Sequence, residues 1–517
     1  MKYQVFSAME WLYTDSRVSG HGNKEIIVNT AKNSYASCQI LLNGMTKDTE
    51  IALESDVCGL NSEFYQEIPV NVEKNTNPGS HAIEGEEPTV YLTRLAPFQV
   101  YDALKPINQT FTASDETAAV YVCWNIPKNT SAGEKRGTVK ITAGGESCNI
   151  EVYINVFEAT VPDKETLCFT HWYTLEAIAG DHSLKPWGEE HWQMIEKYGK
   201  LMRRARQTHF WVHEEMLIIN KDENGNYSFD FSRVERLVRM FLKLGFTALE
   251  GPLVASHVGF KEADYVVKVN GEEHNALSPE GYVYISQFFT AWYDFLKQNG
   301  WLDITIQHVA DEPTSTNVHN YRIISGIARK FMPNIPLIEA VLTPDVQGSV
   351  DIVVPECCIY TDHAESFEWL KNTGHTLWYY TCCVTEGHFV NRLWDMPLIR
   401  SRYLLWGVFT HGMTGFLHWG LNFHYEADPF HHLMHLPPGD THIVYPGGDI
   451  PWTSMRFEAM RAGVEDYELF KILEVKDKKK ADSISKSCLP AFDKSNENLN
   501  EFFDAHRQLL ELVSEIK

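Results

Sequence analysis

Much of what would point to other protein classes is missing from this chain. No window approaches the roughly 18 consecutive apolar residues that a membrane-spanning helix needs. The opening MKYQVFSAMEWLYTDSRV has no continuous apolar stretch and carries acids early, so it does not read as a signal peptide and the expected location is cytoplasmic. Basic residues are in deficit: 45 Lys and Arg stand against 69 Asp and Glu, a net charge of −24. That sign disfavours nucleic acid and anionic membranes as partners. The ten cysteines include the vicinal pairs Cys357-Cys358 and Cys382-Cys383 but no CxxC, which suits neither a disulfide framework nor a zinc site. There is no GxSxG, no HExxH and no glycine-rich phosphate loop, so neither cofactor nor metal is implied.

What is present is a large globular core, with 44% apolar and 12% aromatic residues spread over 517 positions. Two textures divide the chain. Residues 1–160 hold short alternating runs such as Ser37–Leu42, Thr89–Thr93, Ala118–Trp124 and Cys148–Val156, separated by turn signals, the pattern of a β-sandwich. From 161 to 453, strand candidates alternate with amphipathic helices: Leu167–Tyr173, Thr208–Glu215, Ala248–Val254, Ile304–Ala310, Leu337–Val341, Ile352–Tyr360, Thr376–Cys383 and Gly415–Asn422. Eight such repeats predict a (β/α)8 TIM-like barrel, irregular where Leu342–Val350 is too short for a helix. Residues 454–517 predict helices packed on the barrel, with the Lys476–Lys480 run as a solvated loop.

In a barrel of this kind the chemistry sits on the C-terminal lip of the strands. One stretch stands out there: His308-Val309-Ala310-Asp311-Glu312-Pro313. Adjacent carboxylates share one pocket only where a strand is breaking up, and Pro313 supplies that break. The plainer reading is a charge pair at a helix start. Other lip positions include Trp172, His213, Glu214, Glu215, His257, His308, Glu339, Tyr360, Tyr380, His418, Trp419, Asn422, His424 and Tyr425. Aromatics, imidazoles and amides with few cations suit a sugar ring better than a phosphate. His431, His432 and His435 have ligand-like spacing but sit in a loop reading. Two acids on one side of a glycosidic bond cannot serve as acid and opposed nucleophile, the usual retaining arrangement. They make sense if a 2-acetamido group of the substrate attacks its own anomeric carbon. Asp311 would then hold the acetamido N–H, and Glu312, its pKa raised by its neighbour's charge and by burial, would be general acid and then base.

The Val309–Pro313 segment resembles the catalytic motif of glycoside hydrolase family 123. So does a downstream block: Gly415–Phe423, Gly439-Asp440, Ile443–Gly447 and Ser454–Glu468. The resemblance implies an exo-acting, retaining β-N-acetylgalactosaminidase working by substrate-assisted catalysis on glycans with a terminal N-acetylhexosamine, with Asp311 orienting the acetamido group and Glu312 as acid/base. Trp172, His213, His257, His308, Tyr380, Trp419, Asn422 and Asp440 are the substrate-binding candidates, and Arg456, Arg461, Glu465 and Asp466 are expected to lock a helix to the barrel. Two alternatives stay open: a glycosidase for a sugar without an acetamido group, using Glu215 or Glu339 as distant nucleophile, and a silent glycan-binding protein.

Overall fold

A computed structural model of the chain describes residues 1–77, 81–83, 92–385, 387–424, 428–433 and 436–516. The strand expected at Thr89–Thr93, Tyr425 and His435 fall wholly or partly outside them. By contact the chain divides into two compact units. The first comprises Met1–Thr166, Glu386–Gly412 and Asn422–Lys517; the second comprises Leu167–Thr385 and Met413–Leu421.

The first unit is built on two mainly antiparallel sheets. One runs in the order Lys2–Ser7, Ser34–Asn43, Thr117–Ile126, Asn61–Val72, Phe98–Ile107; the other joins Ile26–Lys32, Glu146–Thr160, Gly133–Ala143 and Glu50–Val57. Alternation along these strands sends Ile40, Leu42, Val120, Val122 and Trp124 from the first sheet, and Leu53, Val139, Ile141, Val152 and Ile154 from the second, into one apolar cluster. The helices Met455–Cys488 and Leu499–Ser514 group with this unit. Ion pairs tie the longer helix in: Arg456 reaches Asp102 on strand Phe98–Ile107, Asp466 reaches Arg402 on the helix Ile399–Thr410, and Glu465, paired with Arg461 along the helix, accepts from Ser34 at 2.7 Å. One correction concerns Lys476–Lys480, which is helix and not loop. The helix kinks at Asp477 (φ −151°), whose carboxylate accepts from Lys480 N, and Lys478 pairs one turn either way with Glu474 and Asp482.

The second unit carries parallel strands at Cys168–His171, His209–Trp211, Ala248–Gly251, Thr305–Gln307, Ile338–Val341, Ile352–Pro355, Thr376–Tyr380 and Gly415–His418. Neighbours pair in chain order. The second, third and fourth form one ladder, the fifth to the eighth continue into the first, and a single bridge, Gln307 to Leu337, joins the ladders. Thr208 N donates to Phe169 O at 3.0 Å between the first and second. Gly415 is required where the seventh and eighth strands pair, since a Cβ there would lie 2.4 Å from the Trp378 ring. Several strands stop earlier than expected. Tyr360 lies in the short helix Cys357–Asp362, and Glu214–Met216 is a 3-10 turn, so neither is a strand end. Leu342–Val350 carries no helix.

Candidate active site

The fourth strand loses its ladder after Gln307, and Asp311-Glu312-Pro313 follows as irregular chain. Glu312 lies in the left-handed region at φ +46°, a conformation that costs a non-glycine residue free energy and is held only where its surroundings fix it. They do so here. Pro313 O accepts from Leu342 N at 3.0 Å, Thr314 N donates to Asn317 Oδ1 at 2.7 Å, and Thr314 Oγ1 donates to Phe260 O at 3.2 Å. The next helix begins only at Val318 and has no acid in its first turn. The pair is therefore not a helix-start charge pair.

Both acids keep part of their surface open to solvent. Asp311 Oδ1 is nevertheless buried with no hydrogen-bond partner among the described residues. Burial pushes Asp311 well above the usual carboxylate range, and the charges of Glu312 and Glu339 add to this. Glu312 is raised too, first by burial and further by Glu339, against the lowering effect of a hydrogen bond from Tyr380. That bond, from Tyr380 Oη to Glu312 Oε1, is 2.5 Å long. Within such a pair the first proton stays on to unusually high pH, the condition for a general acid near neutrality. The raised Glu312 matches the sequence expectation, but with Glu339 as the charge acting on it.

Tyr380, from the end of the seventh strand, is thus brought directly onto the pair. Other candidates are placed differently. His308 is fully buried, with Nδ1 3.1 Å from Glu339 and Nε2 3.0 Å from Glu250. Burial lowers its pKa, but the two carboxylates outweigh this and hold it at about 9. With both ring nitrogens engaged it is a charged strut, which corrects its reading as a binding residue. Trp172 is also interior: its indole donates to Glu250 at 3.0 Å and stacks on Trp211 at 4.5 Å. His213 is partly exposed, but its Nδ1 accepts from Glu215 N, closing the 3-10 turn. His257, partly exposed on the hairpin after the third strand, lies on the Phe260 ring at 4.6 Å, and burial lowers its pKa. Trp419 is partly exposed just past the eighth strand. His418 is buried, its Nδ1 accepting from Gly420 N. Asn422 and Asp440 are buried residues of the first unit. There Asn422 bridges His442 and Asp440 O accepts from Arg392 at 2.9 Å.

The competing carboxylates are occupied. Glu215 caps the helix Leu175–Asp181, accepting from Leu175 N at 2.7 Å and Glu176 N at 3.1 Å. Glu339 takes four donors: His308, Val309 N, Ala310 N and Tyr321 Oη. Glu250 is not singled out by the sequence; its one signal is a charge set inside the short strand Ala248–Gly251. His431 pairs with Glu73, and His432 with Leu436 O. Among the described residues no group of three His, Cys, Asp or Glu is placed to hold a metal ion.

A lip of parallel strands bearing two half-open acids, one hydrogen-bonded by a tyrosine, is the equipment of a carbohydrate-cleaving hydrolase. The chain matches the catalytic-domain model of glycoside hydrolase family 123 over residues 172–473, more than half its length, and belongs to that family. Among solved structures it is similar to a family 123 glycoside hydrolase from Clostridium perfringens, analysed for glycolipid glycan hydrolysis. The TM-score is 0.77 at 14% identity, covering 99% of this chain and 98% of that one. A β-galactosidase from the psychrophilic Marinomonas ef1 follows with TM-score 0.39, 12% identity and 62% of each chain. An endo-β-1,4-mannanase from Thermotoga petrophila gives 0.38, 12%, and 59% and 78%. No curated protein sequence is matched.

Proposed function

We propose that this hydrolase is an exo-acting, retaining β-N-acetylhexosaminidase, with N-acetylgalactosamine preferred, in which the substrate's 2-acetamido oxygen is the nucleophile. The second unit would be its TIM-like barrel and the two sheets of the first unit an accessory sandwich. The observation carrying this reading is an asymmetry. Asp311 and Glu312 are adjacent, under-bonded and part-open, while Glu215 and Glu339 have both oxygens bonded to the scaffold and Glu250 is fully buried, its Oε2 held by Trp172 and His308. A double displacement through an enzyme carboxylate needs a free second acid facing the first across the sugar. Substrate assistance does not. In the first step Glu312 gives its proton to the leaving oxygen as the acetamido oxygen closes on C1, and Asp311 takes up the positive charge building at the acetamido nitrogen. In the second step Glu312, now ionised, draws a proton from the water that reopens the ring, and configuration is retained.

The test is hydrolysis of paired aryl β-GalNAc and β-GlcNAc glycosides, and of a disaccharide, by wild type, Asp311→Asn and Glu312→Gln. Wild-type turnover on GalNAc is expected, with losses of about 10²–10⁴-fold in each variant. Glu312→Gln should hurt the disaccharide far more than the activated aryl glycoside. Full activity in Asp311→Asn would refute substrate assistance. Glycan binding without turnover would make the protein a lectin-like binder.

A further inference from the structure

Behind the acid pair lies a buried chain of charge drawn from three consecutive strands: Glu250 on the third, His308 just past the fourth and Glu339 on the fifth. All three are fully buried. The converging contacts on Glu339 are specific. Its Oε2 accepts from Val309 N and Ala310 N, each at 2.9 Å, and from Tyr321 Oη at 3.1 Å; its Oε1 accepts from His308 at 3.1 Å. Four donors fill the acceptor sites of the carboxylate. The two amides are those of the residues immediately before Asp311, in a stretch where the ladder has already ended and a bridge from Ala310 to Ala255 is the remaining strand contact. Glu339 thus stands in for the missing strand partner.

We propose that Glu339 is a positioning residue for the hydrolytic reaction: it fixes the peptide that presents Asp311 and Glu312 and supplies the fixed negative charge facing them. The inference rests on the acid/base reading of that pair given above. Among the described residues, titratable groups reach the pair from several elements. His308 and Glu250 come from the strands behind, Tyr380 from the seventh strand, Tyr265 from the hairpin and Tyr321 from the following helix. Glu339 acts to raise both acids, whereas His308 acts to lower Asp311 and Tyr380 to lower Glu312. Burial is the first cause that raises Glu312, and Glu339 is the charged neighbour that adds to it.

Two substitutions separate charge from position. Glu339→Gln keeps the shape and removes the charge; its amide oxygen can still accept from Val309 N and Ala310 N. The alkaline limb of kcat/KM, which reports the protonated acid, should move down by about one pH unit with KM little changed. Glu339→Asp keeps the charge but withdraws from the amides. It should leave that limb in place and lower kcat by about tenfold or more. A limb unmoved in the glutamine variant, or moved equally in both, would overturn the proposal. A glutamine variant that does not fold leaves the aspartate arm, in which an unchanged kcat overturns the positioning role. The glycoside used is whichever the wild type cleaves. Titration of the Glu312 carboxyl by 13C NMR reads the same shift without turnover, so a wrong sugar assignment and a wrong role for Glu339 give different results.

Discussion

The acids of the two units make an instructive contrast. In the first unit, Asp102 is fully buried and saturated: Oδ2 alone accepts from Trp394 at 2.8 Å, Tyr445 at 2.5 Å and Arg456 Nε at 3.0 Å. Asp466 is held between Arg402 and His506, and despite burial the Arg402 charge and the contact with His506 push its pKa well below the usual range. Asp395 accepts from Thr76 and Asn75. In the second unit, Asp311 has a buried oxygen with no partner among the described residues, and Glu312 accepts from one tyrosine. Saturated acids hold a fold together; under-bonded acids are poised to exchange protons. Glu67 qualifies the rule. Both its oxygens are buried without partners among the described residues, and burial raises its pKa strongly. At 2% exposure, however, no substrate reaches it, so access matters as much as under-bonding.

If this contrast holds, mutations should separate stability from activity. The largest stability effect is expected from Asp102→Asn, which leaves the Arg456 charge buried without its counter-ion, at a cost of roughly 3–5 kcal/mol. Chemical denaturation would measure it, and a loss below about 1 kcal/mol would mean that the cluster is not holding the first unit. The next effect concerns His308. Its folded pKa of about 9 lies above the ordinary 6.5, so its contribution to stability is fully present below pH 6.5 and is lost as pH rises through 9. That loss is about 3 kcal/mol in total. A melting temperature that stays flat from pH 6.5 to 9.5 in wild type would contradict the buried imidazolium. The smallest and most telling effect is in Asp311→Asn. Asp311 is raised, so ionising it at neutral pH costs folding free energy; removing the acid should stabilise the protein by about 1 kcal/mol at pH 7. The gain should vanish in acid, where the wild-type carboxyl is protonated in any case. A variant that loses both stability and activity would place Asp311 with the saturated acids.

The alternation of strands and helices was legible because parallel strands buried on both faces, and the helices between them, carry strong periodic signals. The acid pair was legible because Pro313 marks where a strand must fail. Pairing partners were not. Glu250, His308 and Glu339 are 58 and 31 residues apart along the chain, and nothing local says which glutamate meets the histidine. Arg456 and Asp102, 354 residues apart, posed the same problem on a larger scale: the helix was expected to bond somewhere, and the sequence could not say to what. Lys476–Lys480 misled for a different reason. Five consecutive polar residues look like a loop until Glu474 and Asp482, one turn to either side, are counted.

The first unit is assembled from three separated stretches of chain, and its first stretch is bonded to the helix Met455–Cys488 in the last: Ser34 to Glu465, Thr166 to Glu468, Asp102 to Arg456. A chain emerging from the ribosome makes the strands first and waits through the whole second unit before their partners exist. Asp102, with no cation to meet, must meanwhile stay in water. The edge of the sheet at Phe98–Ile107, which finally receives Thr453–Ser454, stays open to pairing with a neighbouring chain for the same interval. Yield during synthesis should therefore depend on how quickly the tail is made, and shortening the tail should trap the early strands unfinished.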